Sequence, residues 1–326
     1  MATMSWGVLG ASSFARDHMA RAIHEAEGAR LAALATRSPE RAEQFRAFAP
    51  DLRVHGSYED LLADPQVDAV YIPLPNHLHV EWTLKALEAG KHVLCEKPVA
   101  MRAEEVDALV EARDRTGLFA TEAFMIVHHP QWARVRELVD DGAIGELRHA
   151  DAVLTFDSSA DVRNIRNRPE TGGGSLPDLG VYTLGSIRWA GRVEPVDLEA
   201  RVRWENGVDT WAHVTGTMAG EDRELTFSAM TSLRMAPRQE VVLHGTTGVL
   251  RVTVPVNAGV AGEAQVHLVR GTSHVVERFV DRQYALQVAA FGRHVREGAP
   301  YPWSLEDARA TQTVIDRVYE VARPLG

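Results

Sequence analysis

Cysteine, long apolar runs and an excess of basic residues are scarce or missing in this chain of 326 residues. The one cysteine, Cys95, cannot form an internal disulfide, and no charged segment followed by an apolar one precedes the first apolar stretch, so we expect a cytoplasmic protein. No apolar run approaches the roughly 18 to 20 residues that a bilayer span needs, which excludes a membrane protein. The 35 Lys and Arg against 45 Asp and Glu give a net charge of -10, which disfavours nucleic acid and anionic membrane surfaces as partners.

The rest of the composition is that of an ordinary folded chain. Hydrophobic residues make up 45% and charged residues 25% of the sequence, which excludes a disordered, collagen-like or coiled-coil protein. A length of 326 residues exceeds what one hydrophobic core usually serves, so we predict two domains.

Residues 1–123 alternate short apolar runs with helical stretches. This alternation predicts an α/β domain in which helices cover both faces of a doubly wound parallel sheet. Alternating runs between residues 196 and 279 predict an open, mostly antiparallel sheet, followed by two closing helices. We therefore assign residues 124–326 to a second α/β domain, whose last helix has the option of packing back on the first.

The turn between the first strand and the first helix reads GVLGASSFA over residues 7–15. A dinucleotide pyrophosphate can meet backbone N–H groups and a helix N-terminus at such a turn. The G-x-G-x-x-G fingerprint is incomplete because serine replaces its second glycine and alanine its third. A small-residue turn that packs the helix on the sheet is the alternative interpretation. The candidate cofactor residues of this turn are Gly10, Ser12, Ser13, Phe14 and Ala15.

The end of the second strand indicates which dinucleotide is bound. NAD-binding domains usually place Asp or Glu there for the ribose 2′-hydroxyl, whereas this chain has Arg37 and Ser38, with Arg41 one turn further on. Guanidinium groups suit a 2′-phosphate, so NADP is favoured, with NAD as the second choice. The alternative is that both arginines are solvated residues at a helix start.

Two later strand ends point to the same crevice, because ligands of open parallel sheets bind outside the carboxyl ends of the strands. One reads PLPNHLH over residues 73–79, and the other reads EKP over residues 96–98. Lys97 has Glu96 as a ready partner and a backbone restricted by Pro98. We therefore expect Lys97 to face the cofactor.

A glycine-rich stretch in the second half, GGGSLPDLGVY over residues 172–182, places Asp178 and Tyr182 four residues apart at a helix start. Both side chains can then reach one point. A phenol beside an ammonium can exchange a proton with a substrate hydroxyl, because the cation lowers the cost of the phenolate. The alternative makes Asp178 a helix cap and Tyr182 a half-buried helix residue.

Taken together, the PLPNHLH, EKP and GGGSLPDLGVY motifs resemble those of the glucose-fructose oxidoreductase, inositol dehydrogenase and rhizopine catabolism (Gfo/Idh/MocA) family. The likeness spans nearly the whole chain. It implies an N-terminal Rossmann domain that binds a nicotinamide cofactor and a C-terminal domain that contacts substrate and usually forms the oligomer interface, so we expect a homodimer or homotetramer. The tyrosine at position 182 is typical of the branch with dihydrodiol dehydrogenase and xylose dehydrogenase.

The resemblance also implies roles for single residues. Lys97 becomes the catalytic lysine, with a cis bond to Pro98, and Asp178 and Tyr182 become the polar pair on the substrate side. Arg166 matches an arginine that approaches the nicotinamide. Further positions that match cofactor contacts of the family are Pro73, Leu74, Asn76, His79 and Glu96.

We therefore predict an NADP-dependent oxidoreductase. It transfers a hydride between the nicotinamide and a C–OH or C=O carbon of a sugar, cyclic polyol or related diol, while Tyr182, assisted by Lys97, moves the hydroxyl proton and Asp178 orients the substrate. No metal is expected, since none of the 14 histidines belongs to an H-E-x-x-H motif and no cluster of cysteines occurs beside them.

Three alternatives stay open. The first is a catalytically silent NADP(H)-sensing regulator, against which the combination of Lys97, Asp178 and Tyr182 argues. The second is a sugar-nucleotide ketoreductase, whose anionic substrate could meet Arg163, Arg166 and Arg168. The third is an enzyme that retains its cofactor and couples two sugars. The first strand begins within a few residues of Met1 and leaves no arm to wrap the nucleotide, which favours free exchange.

Overall fold

A computed structural model describes residues 3–325 of the chain. Two compact units emerge from its internal contacts. The first extends up to His128 and also includes Arg282–Arg309, and the second comprises His129–Asp281 and the chain from Ala310 onward.

The elements alternate in the first half of the chain and are mostly strands in the second. The strands are β1 (Met4–Leu9), β2 (Ala29–Ala35), β3 (Arg53–His55), β4 (Ala69–Ile72), β5 (His92–Cys95), β6 (Ala120–Glu122), β7 (Leu147–Asp157), β8 (Glu194–Glu205), β9 (Val208–Ala219), β10 (Glu224–Ser232), β11 (Arg234–Gly245), β12 (Val249–Thr253), β13 (Ala264–Arg270), β14 (Ser273–Phe279) and β15 (Arg323–Pro324). The α-helices are α1 (Ala20–Glu25), α2 (Pro39–Arg46), α3 (Tyr58–Leu62), α4 (His79–Glu88), α5 (Ala103–Thr116), α6 (Pro130–Asp140), α7 (Val181–Gly191), α8 (Gln283–Glu297) and α9 (Leu305–Val321).

The first unit is built on a parallel sheet. Within the described residues, six strands pair in the order β3-β2-β1-β4-β5-β6. β1 and β4 are buried along their whole length, as expected when helices cover both faces of a sheet. The predicted doubly wound sheet is confirmed. Its strand order reverses at β1, and ligands of such sheets bind at that point, outside the carboxyl ends of the strands.

Serine side chains cap the starts of several helices. Ser38 caps α2 by accepting a hydrogen bond from the Arg41 N–H, and Ser57 caps α3 in the same way through the Asp60 N–H. Ser304 and Asp307 cap α9 reciprocally, with each side chain accepting from the other residue's backbone N–H. Each serine satisfies an N–H that a helix start leaves without a partner.

Three helices are preceded by a short turn of another kind. The chain enters α1 and α7 through π-helical turns, Ala15–Met19 and Leu176–Gly180. It enters α4 through a 3₁₀ turn, Asn76–Leu78. A turn of five residues or fewer changes the hydrophobic periodicity too little to be visible in a single sequence.

The second unit is built on a mixed sheet. Over the part of the chain that the structure describes, nine strands pair in the order β14-β13-β12-β11-β7-β10-β9-β8-β15. The β7–β10 and β8–β15 pairs are parallel and the other pairs antiparallel, so the predicted mostly antiparallel sheet is confirmed. α6 and α7 pack on this sheet. Between residues 3 and 325, no helix is both long and apolar enough to cross a membrane.

Candidate active site

The turn after β1 has the geometry of a dinucleotide loop. Gly10 has φ +103°, and a Cβ there would lie 3.1 Å from Leu74 Cδ2 and 3.3 Å from the Tyr58 hydroxyl oxygen, so the position requires glycine. The Ser12 hydroxyl accepts a hydrogen bond from the Ala15 N–H at 3.1 Å. Serine at the second fingerprint position therefore caps the helix start. Ser13 and Phe14, between Ser12 and Ala15, are exposed.

The predicted 2′-phosphate residues lie just beyond β2, with the side chains of Arg37 and Arg41 exposed. The hydroxyl of Ser38 caps α2 and donates to Glu40 Oε2 at 2.8 Å. Tyr58 was missed in the sequence analysis. Burial raises the pKa of its phenol, and the positive charge of Arg37 partly offsets this effect. Since Tyr58 also faces Gly10, its hydroxyl lies between the dinucleotide turn and the cationic strand end.

The loop after β4 is held by His79, the first residue of α4. Pro73, Leu74 and Asn76 lie on this loop, partly or fully buried. His79 is fully buried, with Nδ1 2.7 Å from the Pro98 carbonyl oxygen and Nε2 2.7 Å from that of Leu74. The cofactor contact that the resemblance implies for His79 stays a prediction. Its imidazole braces the β4 loop against the turn that carries Lys97.

Lys97 follows β5 on a short turn, and its peptide bond to Pro98 is cis, as the resemblance implied. The Glu96 carboxylate accepts a hydrogen bond from the Tyr71 hydroxyl at 2.5 Å. Burial raises the pKa of the Tyr284 phenol, and the negative charge of Glu96 raises it further. Glu96 is therefore surrounded by phenols of β4 and α8, in addition to its sequence neighbour Lys97.

A buried acid, Glu122 at the end of β6, bonds to the turn that carries Lys97 and was not among the predicted residues. Its side chain is 3% exposed and bonds to the Val99 N–H and the Trp303 indole N–H, each at 3.0 Å. Burial raises the pKa of Glu122 to about 7, against the opposing effects of these hydrogen bonds and of the Lys97 charge. The pairing of β5 with β6 places Cys95 opposite Glu122, and the stretch EAFM over residues 122–125, which resembles the same family branch, was the sequence signal for this residue.

In the second unit, Asp178 lies in the π-helical turn and Tyr182 in the first turn of α7, and both are largely buried. Arg166 Nε donates a hydrogen bond to Asp178 Oδ2, and the Arg166 guanidinium lies 5.5 Å from the centre of the Phe156 ring. Asp178 is thus an ion-paired carboxylate.

A second buried carboxylate fixes the start of this turn. Asp209 accepts hydrogen bonds from the Ser175 hydroxyl and Leu176 N–H, both at 2.7 Å, and from the Tyr319 hydroxyl at 2.8 Å. Burial raises its pKa to about 6. A Cβ on Gly174, which has φ +134°, would lie 2.2 Å from Asp209 Oδ1. The glycine-rich stretch therefore lets the backbone reach this carboxylate, which sets the position of the following Asp178 and Tyr182.

Metal ligation finds no support in the geometry. Among residues 3–325, no group of three or more His, Cys, Asp or Glu side chains is placed to hold a metal ion. His128 is buried, and burial lowers its pKa to about 3, so its imidazole is neutral near pH 7.

Known proteins match this chain along nearly its full length. Residues 4–124 match the model of the GFO/IDH/MocA oxidoreductase family with an NAD-binding Rossmann fold, and residues 132–251 match a C-terminal domain of that family. The chain is 34% identical to dTDP-3,4-didehydro-2,6-dideoxy-alpha-D-glucose 3-reductase of Actinomadura kijaniata, over 98% of this chain and 96% of that protein. It is 32% identical to D-xylose 1-dehydrogenase (NADP(+)) 2 of Haloferax volcanii, over 98% and 97% of the two chains.

A solved structure gives the same result. The crystal structure of a 3-ketoreductase variant from Actinomadura kijaniata, in complex with TDP-benzene and NADP, matches with a TM-score of 0.87 and 29% identity over 99% of both chains. The Rossmann sheet, the Lys97 turn and the matches in both halves lead to one conclusion: the chain belongs to the GFO/IDH/MocA family and is an NAD(P)-dependent oxidoreductase.

Proposed function

We propose that this protein is an NADP-dependent oxidoreductase that interconverts a C–OH and a C=O carbon of a sugar, cyclic polyol or related diol. The observation that carries the proposal is the setting of Lys97. It follows β5 at the carboxyl edge of the parallel sheet, on a turn whose backbone bonds to both His79 and Glu122. A lysine on a turn that two buried side chains fix at that edge is placed for a bound ligand rather than for solvent.

The first unit has the features that an NADP molecule requires. Gly10 and the helix start after it leave room and backbone donors for a pyrophosphate, while Arg37, Arg41 and the Tyr58 hydroxyl offer polar groups to a 2′-phosphate. When bound, the cofactor supplies or accepts the hydride. The preference for NADP over NAD rests on the two arginines and on the absence of an acid at the end of β2.

The proton of the substrate hydroxyl is assigned to Tyr182 and Lys97. The ammonium lowers the cost of a phenolate, so Tyr182 can take this proton during oxidation and return it during reduction. Asp178, held by Arg166, accepts hydrogen bonds from substrate hydroxyls and orients the sugar. This division of roles assigns cofactor binding to the first unit and substrate orientation to the second.

A sugar-nucleotide ketoreductase is the second candidate, because one relative acts on a dTDP-linked sugar by its name. Arg163 and Arg168 are exposed on the loop that carries Arg166 and could meet a diphosphate. D-Xylose dehydrogenase, the other relative, favours a free sugar. We place the free sugar first, since the Asp178–Arg166 pair recognises hydroxyl groups, which every sugar carries.

A substrate panel tests the proposal. Aldoses, inositols and diols are assayed by the absorbance of reduced cofactor, with NAD and NADP side by side, and a dTDP-linked keto-sugar is assayed in the reductive direction. We expect turnover of at least one aldose or polyol with NADP. Turnover of the dTDP-sugar alone would select the second candidate. If NADP binds tightly and no compound turns over, a cofactor-sensing protein replaces the enzyme.

We also propose that the chain assembles as a homodimer or homotetramer through the second unit. The sheet face lined by His213, Ser228, Arg238 and Glu240 is partly open, and Trp204 and Val275 are exposed on its strands. Exposed sheet faces and edges are usually covered by a partner. Light scattering at micromolar concentration should give a multiple of 35.9 kDa, and the monomer mass would contradict the proposal.

A further inference from the structure

The Glu122 carboxylate makes two hydrogen bonds, one of them to the turn that carries Lys97. Its Oε1 accepts from the Val99 N–H, two residues after Lys97, and its Oε2 accepts from the Trp303 indole N–H. Trp303 is itself fixed by stacking on Phe124, with ring centres 4.1 Å apart. The carboxyl group is therefore held on both oxygens and cannot turn away from Lys97 without breaking a buried hydrogen bond.

The charges around Glu122 make this position costly for an acid. Burial raises the pKa of Glu122, the negative charge of Glu96 raises it further, and the positive charge of Lys97 lowers it. The neighbouring Cys95 thiol is buried and neutral, because burial raises its pKa well above the ordinary value. Asn or Gln would keep some of the hydrogen bonds without a buried charge. A buried carboxyl beside a lysine, placed there against the cost of its desolvation, is typical of a functional site.

We propose that Glu122 is a positioning residue of the reaction, which holds the Lys97–Val99 turn in place and provides the buried negative charge that balances the Lys97 ammonium. This inference rests on the proposed function of Lys97. The ionised Glu122 carboxylate accepts charge-assisted hydrogen bonds from the Val99 and Trp303 N–H groups and so fixes the turn that carries Lys97. Protonation of Glu122 weakens these hydrogen bonds, the turn is held less firmly, and turnover falls.

Carbon-13 NMR of protein labelled at the glutamate carboxyl carbons tests the coupling without substrate. Glu122→Gln identifies the Glu122 signal by its loss, and Trp303→Phe does so by a shift if the first variant does not fold. We expect a midpoint near pH 7 that moves to higher pH in Lys97→Met, because the favourable cation is gone, and stays unchanged in Lys85→Met. A midpoint near the ordinary glutamate value of about 4.3, or no response to Lys97→Met, would overturn the inference.

Turnover separates this inference from the proposed function. With NADP and D-xylose, or the fastest sugar of the panel, the wild type should lose activity as the pH falls through about 7, and Glu122→Gln should lack this acid limb. At pH 8 the kcat of Glu122→Gln should be about tenfold lower than that of the wild type, the factor that corresponds to one pKa unit. Asp64→Asn removes another largely buried carboxylate, bonded to Arg53, and should leave the limb in place.

Failure of the proposed function and failure of the Glu122 inference give different results. Full activity of Lys97→Met would remove Lys97 and the proposed mechanism together. An impaired Lys97→Met beside a Glu122→Gln enzyme that retains the acid limb would leave the mechanism standing and remove only the role of Glu122.

Discussion

Lys97→Met and Tyr182→Phe should each lower kcat by about 10²-fold or more, the usual contribution of general acid–base catalysis. Methionine keeps the aliphatic stem of lysine without its ammonium, and phenylalanine keeps the ring of tyrosine without its hydroxyl, so packing changes little. The double variant should be little worse than the worse single variant, because residues that act as a unit are not additive. Steady-state kinetics on the best substrate of the panel measure all three.

Two matched controls separate chemistry from folding. Lys85→Met removes the ammonium of an exposed lysine that pairs with Glu81. Tyr301→Phe removes the hydroxyl of a buried tyrosine whose ring packs on Phe119. Both should keep normal turnover. NADP affinity should change more in Lys97→Met than in Tyr182→Phe, since Lys97 belongs to the Rossmann unit. Near-normal turnover of Tyr182→Phe would remove Tyr182 from the mechanism, and His128 could not replace it as an acid near pH 7 because its imidazole is neutral there.

Arg37→Asp should invert the cofactor preference. The change replaces a cation suited to a 2′-phosphate by a carboxylate suited to the 2′-hydroxyl of NAD. A charge-assisted hydrogen bond contributes about 1.5 to 3 kcal/mol, so the ratio of kcat/KM for NADP over NAD should fall about 10- to 100-fold. Assays of both cofactors at fixed substrate measure this ratio.

Arg46→Asp is the control for charge alone. Arg46 lies at the end of α2 and pairs with Glu43, so reversing its charge should leave the ratio unchanged. A wild-type enzyme that uses NAD as well as NADP would contradict the assignment of Arg37 and Arg41.

The sequence was most informative where function depends on the backbone. Gly10 and the cis Lys97–Pro98 bond are set by residues adjacent in sequence, and each was predicted in its place. The side chains around them were harder to predict. Tyr58 and Trp303 reach their positions from other segments, and a single sequence carries no signal that joins Trp303 to Glu122 across 181 residues.

His79 makes contacts that its residue type did not indicate. Its match to a family position suggested contact with the cofactor, whereas both ring nitrogens face backbone carbonyl oxygens inside the fold. The presence of a histidine does not by itself distinguish a ligand contact from a structural role between two backbone segments, because the distinction depends on which polar groups surround the ring. In the second unit, Asp209 explains the glycine-rich stretch, yet it lies 35 residues after Gly174 on another strand and has no motif of its own.

The burial of Cys95 has a practical use. Its thiol has no solvent exposure, and burial raises its pKa well above the ordinary value, so maleimide and similar reagents should find no reactive thiolate in the native chain. A single cysteine introduced at an exposed position such as Val162, on the loop before Arg166, would then be the sole labelling site. A fluorophore there could report ligand binding to the second unit without first removing a native cysteine.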